Sequence, residues 1–310
     1  MPEKVVREVL TLETPSGVLK LFSRNADGRV AFGETCFPKD RLPVLRLIAS
    51  ATIANQLFLT IAVRLNATEF FPFFDWVKNR LVVLAADGEP PAVHPFPDPA
   101  SPLGLRLVEH LRHFGIGIER FETEALFAPL PPALDLRAVK AELRTTGGKL
   151  RFGDTILSMV GDEFVAEKLV AVHAGRDGKP VKFELSDESE GVARLLDLLP
   201  LLLESDKTEG LTVVADAPDR SLHARVFDGL LHDFLETCTP KSRRQFVFTA
   251  YDVNLLSKET FRRDELWAVA KRPSGESSLS AFADFKDVRR RRDIRKLYLE
   301  GAFGGVPPSV

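Results

Sequence analysis

Two acidic residues follow apolar segments of the sequence, where strands of a parallel sheet would end. Asp216 ends the run LTVVAD, and Asp252 follows the run RQFVFTAY. Because open α/β sheets bind ligands at the carboxyl edge of their strands, we expect both carboxylates at such an edge. Carboxylate oxygens are the protein ligands that Mg²⁺ prefers, so Asp216 is the candidate magnesium ligand.

A second group of chemistry-bearing residues lies upstream of these strands. Ser189, Glu190 and Gly191 stand at the start of a segment whose apolar residues have helical spacing. The unpaired N–H groups and the dipole of a helix start favour an anion such as phosphate. A serine, a flexible glycine and a helix start together predict a phosphate cradle. The alternative is an ordinary serine N-cap.

Four motifs follow one another in the second half of the chain. They are ESEGVARLLDLLP at 188–200, VVADAPDRSLHA at 213–224, FTAYDVNLL at 248–256 and RRDELWAVAK at 262–271. In this order they resemble the AAA-core, ABC-type ATPases of the abortive-infection or phage-defence kind, which are relatives of OLD-family and SMC-type ATPases. The resemblance is strong over residues 165–307, whereas residues 5–150 have only a compatible pattern.

The resemblance implies a role for each of these motifs. Ser189, Glu190 and Gly191 match the signature motif that binds nucleotide, and Asp216 matches the Walker B aspartate that meets Mg²⁺. The D-loop of the family is matched by Asp219, Ser221 and His223.

The sequence departs from the family in the residues that do the chemistry. It has no G-x-x-x-x-G-K-[ST] motif, and we interpret the nearest similar stretches, at Gly148 and Gly178, as turns. Ala217 occupies the position of the glutamate that polarises the attacking water, and Tyr251 that of the switch histidine. Val192 replaces the signature threonine, which is a milder loss.

These departures lead to three hypotheses about function. The first is a degenerate or split ATP-binding subunit, without ATPase activity alone, that supplies its signature motif to a partner's ATP site. ATP and Mg²⁺ would then bind only with a partner that has a P-loop, in a homodimer or a heteromer. The second is a truncated fragment of a full phage-defence ATPase, whose start lies upstream of Met1. The third is a non-catalytic interaction scaffold that binds no nucleotide.

The elements that would position these residues predict an α/β fold. We expect an incomplete ABC-type P-loop NTPase core, a mixed sheet flanked by helices, with an N-terminal β-meander and a helical insertion lobe. Residues 1–160 would form the meander and lobe, and residues 161–310 the C-terminal half of the core. The strand that carries the P-loop in the family would lie between the strands at 245–249 and 265–270. Continuous pairing of those two strands would favour the scaffold hypothesis.

The composition of the chain bears on its cellular location and on its contacts with nucleic acid. The 310 residues carry a net charge of −2, and the two cysteines, Cys36 and Cys238, suit a reducing cytoplasm. No apolar signal core follows Met1, and no membrane span is expected. The one strong charge run, KDVRRRRDIRK at 286–296, is either a nucleic-acid contact or a solvated helix start.

Overall fold

The computed structural model divides the chain into two compact units, Met1–Leu81 and Val82–Val310. We refer to them as the N-terminal unit and the C-terminal unit. The structure describes residues 4–33, 35–85, 94–127, 129, 130, 132, 134–146, 148–203, 210–256, 260–285 and 293–306.

The N-terminal unit is a three-stranded antiparallel meander followed by helices, as the sequence predicted. Its buried phenylalanines pack edge to face, with ring centroids of Phe22 and Phe58 4.8 Å apart and those of Phe58 and Phe70 5.7 Å apart. Such aromatic pairs stabilise a small core beyond the area they bury. The elements are β1 (Glu8–Thr14), β2 (Gly17–Arg24), β3 (Val30–Phe32), α1 (Arg41–Ala51), α2 (Phe58–Arg64) and α3 (Phe71–Asn79).

The larger sheet of the C-terminal unit has six strands. Its strand order is β10-β9-β8-β7-β5, and β6 pairs antiparallel with β9. The strands are β5 (His94–Phe96), β6 (Ile118–Ala125), β7 (Lys149–Phe152), β8 (Thr155–Val160), β9 (Glu163–Ala174) and β10 (Pro180–Glu184). The turn predicted at Gly178 joins β9 and β10 in an antiparallel hairpin, and Gly178 has a positive φ of 70°.

The prolines of residues 87–102 predict a loop, and this prediction is wrong for residues 94–96. These residues form β5, which pairs antiparallel with β7 and places Pro95 opposite Leu150. Proline cannot donate to a sheet, but β5 lies at the end of the strand order, where one side needs no donor. Residues 87–93 of this segment lie outside the described residues.

A smaller sheet has the strand order β12-β11-β4. Strands β11 and β12 are parallel, with Val213 opposite Phe246 and Ala215 opposite Phe248. The strands are β4 (Leu81–Leu84), β11 (Thr212–Ala215) and β12 (Gln245–Phe248). The helices of this unit include α4 (Pro102–His113), α5 (Leu136–Thr146), α6 (Glu190–Leu203) and α7 (Ala224–Thr237).

Helix α6 has more buried residues than any other helix described in this unit. Every leucine in it belongs to the core, because apolar residues occupy most of its surface. Pro200 lies inside the helix and does not end it, since the helix continues to Leu203. On β7, Arg151 forms a buried ion pair with Asp197 of α6, and burial lowers the pKa of this guanidinium.

The last elements form a separate hairpin and a short helix. These are β13 (Trp267–Lys271), β14 (Ser277–Ala281) and α8 (Ile294–Leu299). The predicted strand at β13 is confirmed, and it pairs antiparallel with β14. Within the described part of the chain, β12 pairs with β11 alone and β13 with β14 alone.

The structure contains several sheets together with helices, and this confirms the α/β fold class predicted from sequence. The boundary we predicted at residue 160 falls in the turn between β8 and β9, which are neighbours in one sheet, whereas the compact units divide after Leu81. Across the described residues, none of the helices has both the length and the apolar character needed to cross a bilayer.

The stretches that we interpreted as turns, not P-loops, are confirmed as turns. Gly148 lies between the end of α5 and the start of β7, so helix precedes strand, the reverse of a P-loop. Gly178 lies in the hairpin between β9 and β10. Lys149, which follows Gly148, forms an ion pair with Asp98, with Nζ 2.8 Å from Oδ2.

Candidate functional site

Asp216 lies at the carboxyl end of the parallel pair β11 and β12, where the sequence placed it. Its Oδ1 accepts a hydrogen bond from the Thr249 hydroxyl at 2.5 Å, and Thr249 follows β12 directly. The same hydroxyl oxygen accepts the Ala217 N–H at 2.8 Å. Thr249 therefore joins the ends of the two strands. Sequence reasoning missed this residue, although a polar residue at the end of a neighbouring strand was the available signal.

Ala217 is buried and has an unusual backbone conformation. Its φ is +43°, in the left-handed region, and the residue is 2% exposed. A non-glycine residue in this region costs about 1 kcal/mol or more. The hydrogen bond to Thr249 and the turn bond from the Arg220 N–H at 3.2 Å hold this conformation in place.

An arginine of α6 fixes the ends of β4 and β11. The Arg194 guanidinium donates from Nη2 to the Asp216 carbonyl oxygen at 2.8 Å and from Nη1 to the Ala85 carbonyl oxygen at 3.2 Å. The Asp216 N–H donates in turn to the Leu84 carbonyl oxygen at 2.8 Å. The side chain of Arg194 thus ties the helix that begins at the candidate phosphate cradle to the strand that ends at Asp216.

Ser189 has the geometry of an N-cap. Its Oγ accepts the Val192 N–H at 3.3 Å, and its carbonyl oxygen accepts the N–H groups of Val192 and Ala193 at 3.0 and 3.2 Å. This cap satisfies a donor of the first turn but does not fill the helix start, because Ser189 and Glu190 are exposed. The predicted N-cap and the predicted phosphate cradle are therefore compatible.

The start of α6 contacts the loop that contains Ser221. The Ser221 hydroxyl donates to the Glu190 carboxylate at 3.0 Å. A Cβ atom at Gly191 would lie 2.6 Å from the Ser221 carbonyl oxygen, so glycine is required by this close approach. The signature-like and D-loop-like motifs are thus neighbours in space.

Asp219 connects this loop to the segment after β12. Its Oδ2 accepts the N–H groups of Tyr251 and Asp252 at 3.2 and 3.3 Å. Its Oδ1 is buried and has no hydrogen-bond partner among the described residues. The Tyr251 side chain is 82% exposed, so this residue contributes its backbone to the site and presents its phenol to solvent.

The remaining predicted residues stabilise local structure. His223 is the N-cap of α7, and its Nδ1 accepts the Arg225 N–H at 3.2 Å. Asp252 caps the following 3₁₀ turn by accepting the Asn254 N–H at 2.8 Å. His173 was not among the predicted site residues. Its Nε2 lies 2.6 Å from the Glu188 Oε1, so it holds the residue that precedes Ser189.

The described residues contain no group of three His, Cys, Asp or Glu side chains that could hold a metal ion. Asp216 is a single carboxylate already engaged by a hydroxyl, and its role as a magnesium ligand stays a prediction. Most of the basic run, residues 286–292, lies outside the described residues; Asp293 caps α8 by accepting the Lys296 N–H at 2.9 Å.

Comparison of this chain with protein-family models, with curated proteins and with solved structures finds no match in any of the three. The evidence about function therefore comes from the geometry of the site and from the sequence motifs.

Proposed function

We propose that this chain is a degenerate or split ATP-binding subunit of the AAA/ABC type, acting in phage defence in the cytoplasm. It would supply the helix start at residues 189–191 to an ATP site on a partner chain. The observation that carries this proposal is the packing of Gly191 and Glu190 against Ser221, beside the carboxyl ends of β11 and β12. Two motifs that are distant in sequence meet at one edge, and this supports the proposal.

The exposed side of this arrangement suits one half of a shared nucleotide site. The first-turn N–H groups of a helix lack intrahelical acceptors, and the dipole adds positive potential there. Ser189 is exposed, so a phosphate held by another chain could reach its hydroxyl and these amides. The Ser221 hydroxyl meanwhile engages the Glu190 carboxylate.

We expect no ATP hydrolysis by the chain alone. Ala217 presents a methyl group that can neither accept a proton nor orient water, and loss of a general base costs about two to four orders of magnitude in rate. Without a P-loop, the chain also lacks the amides and the lysine that hold the β- and γ-phosphates. ATP and Mg²⁺ therefore fit these residues only when a partner supplies those groups.

The arrangement of the strands supports this proposal over the interaction scaffold. A scaffold that had closed its core would be expected to pair β12 continuously with β13. Instead, in the part of the chain that the structure describes, β12 is the last strand of its sheet and β13 belongs to a separate hairpin. Val247 on β12 is 53% exposed, so one face of this last strand presents apolar surface to solvent.

The test uses the full chain as bait to recover a partner with a G-x-x-x-x-G-K-[ST] motif from its own cell extract. ATP affinity of that partner is then measured by isothermal titration calorimetry, with and without the chain. We expect tighter ATP binding in the mixture and loss of the gain with Ser189→Arg. Ser186→Arg places the same charge on an exposed serine outside the helix start and should leave the gain intact.

Two outcomes would contradict the proposal. One is ATP turnover by the purified chain alone at the rates of ordinary ATPases, about 1 s⁻¹ or more. The other is an ATP affinity of the partner that the chain does not change, or a gain that Ser189→Arg does not affect. The scaffold hypothesis predicts the second outcome.

A further inference from the structure

The N-terminal unit contains a cavity of about 600 Å³ that no part of the proposed ATP site uses. The turn between β2 and β3 lines one side, and the C-terminal end of α1 with the residues after it lines the other. Pockets of roughly 300–1,000 Å³ hold small organic ligands, so this cavity is larger than a bare inorganic ion needs. Three arginines line it, Arg24, Arg29 and Arg46, together with one acidic residue, Asp27.

Arg24 is buried in the wall of this cavity, at 2% exposure. Its guanidinium donates to two neutral acceptors, the carbonyl oxygens of Ile53 (3.0 Å) and Gln56. Its Nε is buried and has no hydrogen-bond partner among the described residues. A buried guanidinium normally has all of its donors satisfied, because an unmet charged donor is costly.

The nearest carboxylate compensates this charge only in part. Glu8 Oε2 lies 4.0 Å from Nη1 of Arg24, at the limit of an ion pair. Both oxygens of Glu8 already accept backbone N–H groups at the start of α2, from Phe58 at 2.8 Å and from Leu59 at 3.0 Å. The positive charge of Arg24 is therefore only partly neutralised by Glu8.

The lining as a whole carries a surplus of two positive charges, from three arginines and Asp27. Guanidinium groups match phosphate and carboxylate oxygens through paired hydrogen bonds. A surplus of two fits a dianion better than a singly charged carboxylate. The exposed side chains of Arg29 and Arg46 are free to turn toward such a ligand at the mouth of the cavity.

The rest of the wall fits the organic part of a ligand. Ala26, Val30 and Ala49 contribute apolar surface, and Ser50 and Thr52 belong to the end of α1. Their hydroxyl groups donate to the carbonyl oxygens of Leu47 and Ile48, at 2.7 and 2.9 Å. Each hydroxyl oxygen keeps lone pairs that can accept a hydrogen bond from a ligand hydroxyl group. We propose that this cavity binds a small phosphate monoester with a hydroxyl-bearing organic part, its phosphate on the arginines.

The test measures binding to the full chain by calorimetry and by thermal shift. The probes are ribose 5-phosphate, AMP and inorganic phosphate, each compared with sodium chloride at equal ionic strength. The variants are Arg29→Gln and Arg46→Gln, because Arg24 also ties β2 to residues 53–56 and its loss could unfold the unit. Arg64→Gln removes the same charge from an exposed arginine of this unit outside the cavity and is the matched control.

We expect at least one ester to bind with a millimolar or lower Kd and to raise the Tm. Each cavity variant should weaken this binding about tenfold, and the control should leave it unchanged. Three results would overturn the proposal: no response to either ester beyond that to salt, equal binding of inorganic phosphate and the esters, or equal losses in the control and the cavity variants.

Discussion

Replacement of Gly191 by alanine tests the contact that joins the two motifs of the site. The added Cβ would lie 2.6 Å from the Ser221 carbonyl oxygen, a backbone atom that cannot rotate away. Overpacking of this kind costs about 1–3 kcal/mol, and the better helix propensity of alanine returns at most about 1 kcal/mol. We therefore expect Gly191→Ala to lower the free energy of unfolding by about 1–2 kcal/mol.

Gly229→Ala is the matched control, since Gly229 also lies in a helix of the same unit. Its added Cβ would approach Phe114 Cε1 at 3.0 Å, and a ring edge can move where a backbone carbonyl cannot. The gain in helix propensity then offsets the contact, so we expect a change close to zero.

The assay is urea unfolding followed by far-ultraviolet circular dichroism. With an m-value of about 3 kcal/mol/M, Gly191→Ala should lower the urea midpoint by about 0.5 M. An unchanged midpoint would mean that the start of α6 does not rest on the Ser221 loop. Equal losses in Gly191→Ala and Gly229→Ala would refute the distinction between a fixed and a movable neighbour.

Three further predictions concern the framework around the site. Thr249→Val should cost about 1–2 kcal/mol in urea unfolding, because it leaves a buried N–H without an acceptor, and Thr249→Ser should restore most of the loss. Arg244→Met removes donors to two carbonyl oxygens at the end of α6 and should cost about 2–3 kcal/mol, whereas the exposed neighbour Arg243→Met should cost little; equal effects would contradict this assignment. The hydrogen bond from Lys149, more than its charge, lowers the pKa of Asp98, and this stabilisation is present above the ordinary aspartate pKa and lost as pH falls through the lowered value. The stability gap between the wild type and Lys149→Gln, followed by urea unfolding from neutral pH to about pH 2, should therefore close in acid, and a gap that persists there would refute the pairing.

The fold was predictable where the sequence has strong periodicity. The N-terminal meander, helix α6 and the turn between β9 and β10 were each predicted from apolar spacing and turn residues. Strand β5 was missed because proline usually marks a loop, and only the edge of a sheet makes Pro95 acceptable. Sheet membership was not accessible from local patterns, since pairing of β13 with β14 and not with β12 is a long-range choice.

The site was predictable in its positions more than in its contacts. Asp216, Asp219 and Gly191 could be placed because apolar strands, a helix start and a known motif order fixed them. Arg194 and Thr249 act through side-chain hydrogen bonds to residues of other elements. The spacing of residues in the sequence does not predict such long-range contacts. The arginine-lined cavity was missed for the same reason, since its residues come from separate elements.

The backbone and the burial of Ala217 limit which residues fit at this position. A glutamate there would have to adopt a φ near +43° and fit a methylene and a carboxylate into a space that leaves alanine 2% exposed. We therefore expect Ala217→Glu to lower the free energy of unfolding. The turn after β11 is thus a size-selective position, which holds a methyl group and has no room for a longer side chain.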